Sequence, residues 1–246
     1  MGFLALLYAL LCYLAFLGTF VYLIAFVGDL GVARSLASGP AGPAGWALAA
    51  NLGLIALFGL QHSLMARPAF KRVWTRVVPP ALERSTYVLF SSLALILLFR
   101  CWQPLPRIVW SLGHPLLVLA ARALFWGGVT LTLASTFLIS HLDLFGLGQA
   151  WCRFRRQPYQ DPAFRVGAFY ARTRHPLMLG FLVTFWATPV MTLGHLVFAL
   201  GASAYVLAGT ALEERDLLAA LGPAYARYRR AVPRFLPLLR RPRAGP

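Results

Sequence analysis

The fold turns on one stretch, LMLGFLVTFWATPVMTLGHLVFALGASAYVLAGTAL (Leu177–Leu212). Arg174-His175-Pro176 precedes it and Glu213-Glu214-Arg215-Asp216 follows it. A hydrocarbon core of about 30 Å needs about 20 helical residues. The 36 residues here are too many for one tilted span, and Thr188-Pro189 with Gly194 offers a natural break. The expected structure is a helical hairpin, short over Leu177–Thr188 and full length over His195–Leu212. A single long kinked helix is the alternative. A hairpin returns the chain to the face it left, so the two polar clusters would meet in one pocket.

The same character extends through the chain. Of 246 residues, 59% are hydrophobic and 12% charged, where a soluble domain carries about 25% charged residues. The expected fold is all-α, a polytopic transmembrane helix bundle of about five spans, the last apolar region being the hairpin. The earlier spans are Phe3–Val27, Trp46–Met65, Tyr87 to Phe99 or as far as Trp102 (short or partly interfacial, ended by Pro104 and Pro106) and Leu116–Ile139. Phe3–Val27 is too long for a signal-peptide core and lacks a basic leader, which makes it a retained span. The whole is expected to be one integral membrane domain. Residues 1–140 form a four-helix N-terminal bundle and residues 141–246 carry the pocket.

The formal charge is +16, with Lys71 the single lysine. In a soluble chain this would suggest nucleic acid. Interleaved with spans, the arginines instead read as topology determinants and contacts for anionic lipid. Of the 23 basic residues, 19 fall in the segment 66–85, in 141–176 or beyond Leu212, against Arg34, Arg100, Arg107 and Arg122 elsewhere. With six crossing or re-entrant segments, both termini and the basic loops face the cytoplasm. Cys12, Cys101 and Cys152 lie far apart with no metal spacing, and no metal site or disulfide is expected. Neither nucleic acid nor an obligate protein partner is expected.

Ionisable residues at membrane depth are functional candidates by default. Gln61-His62-Ser63 lies near the end of the second span, where His62 either locks helices together or lines a pocket. Glu83-Arg84-Ser85-Thr86-Tyr87 opens the third span; Ser85 or Thr86 can cap it, and Tyr87 can reach the pocket mouth. His141-Leu142-Asp143-Leu144-Phe145-Gly146 ends the fourth. There Asp143 can orient His141, or either can accept a proton. Pro176 suits the first turn of a helix whose N–H groups would attract an anion. Glu213 and Glu214, read as ending the next helix, would oppose its macrodipole. They therefore need a cation or an arginine such as Arg172, Arg174 or Arg229. His195 and His114 read as interfacial residues.

Arg174-His175-Pro176-Leu177-Met178-Leu179-Gly180, then Glu213-Glu214-Arg215-Asp216-Leu217, Leu221-Gly222, Tyr225, Tyr228 and Val232-Pro233-Arg234-Phe235-Leu236-Pro237 resemble the membrane methyltransferases of the isoprenylcysteine carboxyl methyltransferase type. Met178 stands where that pattern has a tyrosine. A narrower resemblance, to methanethiol S-methyltransferases and their NnrU relatives, covers most of the chain. It rests on Gln61-His62-Ser63, the segment Glu83 to Tyr87, the segment His141 to Gly146, and Phe185-Trp186-Ala187-Thr188-Pro189.

The resemblance implies S-adenosylmethionine as methyl donor, methanethiol as acceptor and dimethyl sulfide as product, made at the cytoplasmic side of a bacterial-type inner membrane. It implies donor binding by Tyr170, Arg174, His175, Pro176, Glu213, Glu214, Tyr225 and Tyr228. His62, Phe145 and Trp186 would line the thiol pocket; Asp143 and His141 are the first candidates to take the thiol proton, and Tyr87 is the third. Three readings compete: a related methyltransferase acting on a prenyl-cysteine or lipid, an NnrU-like protein of nitrogen-oxide or haem metabolism, and a small-molecule transporter. The last lacks the inverted repeat of many transporters.

Overall fold

A computed structural model describes residues 2–161 and 166–236. In chain order its elements are α1 (Gly2–Gly28), α2 (Ala44–Ala66), α3 (Pro68–Trp74), α4 (Pro80–Cys101), β1 (Ile108–Ser111), α5 (Pro115–Ile139), α6 (His141–Leu144) and α7 (Leu147–Arg155). A 3-10 turn (Ala168–Ala171), α8 (Pro176–Trp186), β2 (Val190–Thr192), α9 (Leu193–Leu221) and α10 (Pro223–Ala231) follow. Among the described residues, α1, α2, α4, α5 and α9 are long and apolar enough to cross a membrane, and α8 is a shorter apolar helix. Leu4, Leu60, Leu117 and Leu200 all stand exposed on these helices. Water would penalise that apolar surface by about 25 cal/mol per Å², whereas hydrocarbon accepts it. The chain is an all-α, multi-pass membrane protein, as its composition predicts.

Two boundaries and one pairing differ from the sequence expectation. The third span is not short: it starts at Pro80, seated at the first helical position, and takes Glu83 into its first turn. Glu83 is tolerated there because acids suit a helix N-terminus and because Lys71 lies 3.7 Å away. Ser85 and Thr86 therefore sit inside the helix and do not cap it. Second, α9 does not end at Leu212. Leu217, Leu218, Ala219, Ala220 and Leu221 are good helix formers, and the stop is Gly222, whose φ of +54° favours glycine. Glu213 and Glu214 thus lie more than a turn inside the helix, away from the negative end of its dipole. Third, β1 and β2 form an antiparallel pair, Ile108 opposite Thr192 and Ser111 opposite Val190.

The chain divides into two compact units, each traversed more than once. The first comprises residues 1–112, 139–162 and 190–201; the second comprises 113–138, 163–189 and 202–246. In the first, Phe26 packs against Phe99 (ring centroids 4.9 Å apart), and Trp102 meets Phe198 edge-on at 5.9 Å. Met65, Tyr87, Val88 and Phe145 form a second cluster, with Tyr13, Phe16 and Trp74 packed against it.

In the second unit α5 meets α8 through facing glycines. A Cβ on Gly180 would stand 2.7 Å from the Gly128 carbonyl oxygen, and one on Gly128 would stand 2.7 Å from the Gly180 carbonyl oxygen. Small residues let membrane helices approach this closely, and Thr132 Oγ1 donates to the Leu177 carbonyl across the seam at 3.3 Å. Gly180→Val should destabilise the protein by about 1–3 kcal/mol through overpacking, read as a lower unfolding midpoint in detergent. The unit also holds α8 and the part of α9 from residue 202 onward. Trp186 Nε1 donates to Ser203 Oγ (2.9 Å) near the turn, and His175 Nε2 lies 3.1 Å from Glu214 Oε1 at the open end. The two arms therefore run antiparallel, and a single kinked helix is excluded.

Candidate active site

At the open end of the hairpin Pro176 opens α8, and the residue before a proline is pushed out of helical geometry. His175 accordingly has φ −127° and ψ 62°, and no side chain caps the helix. The freed backbone of residues 173–175 pairs with the segment after α10. Arg174 N donates to the Pro233 carbonyl (2.9 Å), His175 N to the Arg234 carbonyl (3.2 Å), and Thr173 Oγ1 to the same Arg234 carbonyl (2.8 Å). The Val232-Pro233-Arg234 run is a strap laid beside the start of α8. Pro237, the last residue of the motif, lies outside the described residues.

Glu214 is the hub beneath the strap. Its Oε1 accepts from Arg174 Nε (2.8 Å), His175 Nε2 (3.1 Å) and Arg234 Nε (3.3 Å), and its Oε2 from Arg234 Nη2 (3.0 Å). The carboxylate is 3% exposed. Burial of a charge is tolerable when partners satisfy it in this way. Arg174 also donates to the Arg229 and Val232 carbonyls, fastening the end of α10. Of the arginines that the sequence puts forward, Arg174 is therefore the ion partner, Arg229 contributes its backbone, and Arg172 stays exposed. Arg234 is the partner that sequence reasoning missed; an arginine set behind a proline, just past a helix end, was the signal.

Glu213 differs from its neighbour. It is half exposed, and its Oε2 stands 3.7 Å from His175 Nδ1, beyond hydrogen-bond length. Close by are three tyrosines. Tyr225 is buried, with its ring 5.8 Å from that of Tyr228, and Tyr228 donates its hydroxyl to the Tyr170 carbonyl at 2.7 Å. Burial pushes the phenols of Tyr225 and Tyr228 up to about 12, reinforced in Tyr225 by the Glu214 charge and in Tyr228 by Tyr225. Burial, then the Glu213 charge, raises Tyr170 as well. All three remain neutral donors at physiological pH. The structure thus gathers Tyr170, Arg174, His175, Pro176, Glu213, Glu214, Tyr225 and Tyr228 in the second unit. Trp186 does not join them: it ends α8, about 15 Å from Pro176 at 1.5 Å per residue.

The remaining sequence candidates belong to the first unit. Tyr87 OH lies 2.6 Å from His62 Nε2, and His62 Nδ1 lies 2.9 Å from Ser91 Oγ. Ser91 donates its own proton to the Tyr87 carbonyl at 2.9 Å. Ser91 is then the acceptor from Nδ1–H, so Nε2 accepts from the Tyr87 hydroxyl. His141 Nε2 bonds Tyr13 OH at 2.9 Å, and burial lowers its pKa, which keeps the imidazole neutral. Phe145 stacks on Phe16 at 4.0 Å and meets the His141 ring at 4.9 Å.

Asp143 takes other partners. It accepts from Ser140 Oγ and from Tyr159, whose phenol is raised by burial and by that carboxylate. It lies over Gly148 in the first turn of α7, where a negative charge is favoured. His62, Tyr87, His141 and Phe145 therefore border one aromatic cluster, while Asp143 holds the corner between α6 and α7.

No family model matches this sequence, and no solved structure matches it. Curated proteins do. The chain is 50% identical to the methanethiol S-methyltransferase of Mycobacterium tuberculosis over 96% of each chain. It is 49% identical to methanethiol S-methyltransferase 2 of Bradyrhizobium diazoefficiens, covering 95% of this chain and 90% of that one. A more distant relative is nurim of Xenopus laevis, 30% identical over 85% of this chain and 80% of that one. With about half of all positions identical along nearly its whole length, the chain belongs to the methanethiol S-methyltransferase family.

Proposed function

We propose that this protein methylates methanethiol to dimethyl sulfide, with S-adenosylmethionine as donor, at the cytoplasmic face of the cell membrane. The observation that carries the reading is the near full-length identity to relatives of that name. The excess of basic residues in the segments 66–85 and 141–176 and beyond Leu212 supports the cytoplasmic side.

The residues at the hairpin's open end fit such a donor. Leu177 and Met178 occupy the first turn of α8, where N–H groups have no intrahelical acceptor, and that end favours a carboxylate. Half-exposed Glu213 suits an ammonium or ribose hydroxyls. The neutral Tyr170, Tyr225 and Tyr228 offer aromatic faces and hydroxyl donors for a nucleoside. Glu214, already holding Arg174, His175 and Arg234, keeps these groups in place. The donor supplies an activated methyl on a sulfonium.

On the acceptor side, a new carbon–sulfur bond forms to methanethiol as the donor's sulfonium–methyl bond breaks, and the thiol proton must leave because the thiolate is the nucleophile. The Tyr87–His62 pair is the acceptor that we assign to that proton. A phenol already hydrogen-bonded to an imidazole nitrogen can pass its proton on as it takes another. Asp143 is assigned the role of an anchor, with His141 kept neutral beside Tyr13.

The test is purified protein given S-adenosylmethionine and methanethiol, with dimethyl sulfide measured in the headspace; a prenyl-cysteine substrate serves as the competing arm. No dimethyl sulfide, or methylation of the prenyl-cysteine alone, overturns the reading. Tyr87→Phe should cut turnover by about 100-fold, the lower range for general acid–base catalysis. The loss should shrink toward pH 9 as hydroxide ionises the thiol unaided. Asp143→Asn should leave that pH profile unchanged.

A further inference from the structure

Away from the candidate active site, the first unit carries a groove of about 520 Å³ beside the C-terminal end of α4. Its polar lining includes Arg34, Arg100 and Gln103, and its apolar lining includes the α2 residues Trp46, Ala50, Leu54 and Leu57. At 1.5 Å per residue, Arg100 is about 20 Å along α4 from Tyr87. The polar lining is braced by hydrogen bonds. Arg34 Nη1 donates to the Arg100 carbonyl at 2.6 Å, and the buried Asn51 amide makes a two-bond clamp with the Gln103 backbone at 2.8 and 2.9 Å.

Two features specify the occupant. None of the chain's acidic residues lines the groove, so both guanidinium groups point to an anion, and arginine matches phosphate geometry closely. Arg100 is level with the Asn51–Gln103 clamp, and from there the α2 face through Leu54 to Leu57 runs inward for about 9 Å, with Trp46 on the other side of the clamp. That is about a third of a 30 Å hydrocarbon core, enough to seat the upper part of one acyl chain. The occupant is therefore an amphiphile with a negatively charged head and a hydrocarbon tail. We propose that the groove seats one anionic phospholipid, its phosphate on Arg34 and Arg100 and one acyl chain against α2. Two of the four arginines set apart from the basic segments thereby gain a function that topology does not give them. The proposal does not rest on the methyl-transfer reading.

Gly53 gives a test that leaves both charges in place. A Cβ there meets nothing within 4 Å and Gly53 lines the groove, so Gly53→Leu extends into it. The experiment is native mass spectrometry of delipidated full-length protein offered equal phosphatidylglycerol and phosphatidylcholine. At about fivefold per arginine, the wild type should prefer phosphatidylglycerol by roughly 25-fold. Arg100→Gln, which keeps the Arg34 bond to the backbone, should lower that preference about fivefold. Gly53→Leu should reduce retention of both lipids. Arg72→Gln, exposed on α3, controls for net charge and should change nothing. A wild type without preference, an Arg100→Gln protein that keeps its full preference, a Gly53→Leu protein that still holds lipid, or an equal fall in Arg72→Gln each overturns the proposal.

Discussion

Glu214→Gln is expected to cost about 3–5 kcal/mol of stability, the scale for breaking a buried ion pair from one side. Glutamine keeps the shape but removes the charge facing Arg174 and Arg234, and its amide NH₂ would point two donors at groups that are themselves donors. Arg174 is largely buried, with a side chain 10% exposed, so water cannot replace the lost acceptor. The strap from Val232 to Arg234 should loosen from residues 173–175, and the open end of the hairpin should fray. A thermal scan in detergent would show the lower midpoint with donor absent. Full stability in Glu214→Gln would mean that the hub contributes nothing to the fold.

Glu213→Gln should separate binding from folding. Its carboxylate is 50% exposed, and exposed charges contribute little to stability, so the unfolding midpoint should hold within experimental scatter. Donor affinity should fall by about 10- to 100-fold, since a hydrogen bond to a charged group contributes about 1.5–3 kcal/mol. Calorimetry with S-adenosylhomocysteine, which keeps the amino-acid head and nucleoside, reads this directly. An unchanged affinity would take Glu213 out of the donor site. The contrast between the two glutamates is the informative result, because they adjoin in sequence and differ in burial.

That contrast also marks where sequence reading runs out. Successive residues on a helix point about 100° apart, so of two adjacent acids only one can face the Arg174 side chain, and the rotation of α9 decides which. Nothing local in Glu213-Glu214 encodes that rotation. The end of α9 was misread for a related reason: the apolar run stops at Leu212, but hydropathy measures burial in lipid and not helix propensity. Leu217 to Leu221 carry the helix on past the charged residues until Gly222. The pairing of β1 with β2 was illegible because strand partners some eighty residues apart leave no local period.

What was legible had a local cause. Thr188-Pro189 cannot sit inside a straight span, and 36 apolar residues overfill the bilayer, so the hairpin and the meeting of His175 with Glu214 followed. The Tyr87–His62 contact was half visible, as two polar residues near the same ends of neighbouring spans. Ser91, which fixes the imidazole tautomer, lies four residues from Tyr87 on the same helical face and was overlooked.

The strap has a bearing on biogenesis. The backbone N–H groups of Arg174 and His175 donate to Pro233 and Arg234, which the ribosome adds after the described membrane helices α1, α2, α4, α5 and α9 have been made. A chain stalled anywhere before that point can thread into the bilayer and still lack a finished cradle. On the donor site proposed above, competence to hold a nucleotide would then arrive in a single late step, and truncated chains from interrupted translation would sit in the membrane without consuming donor.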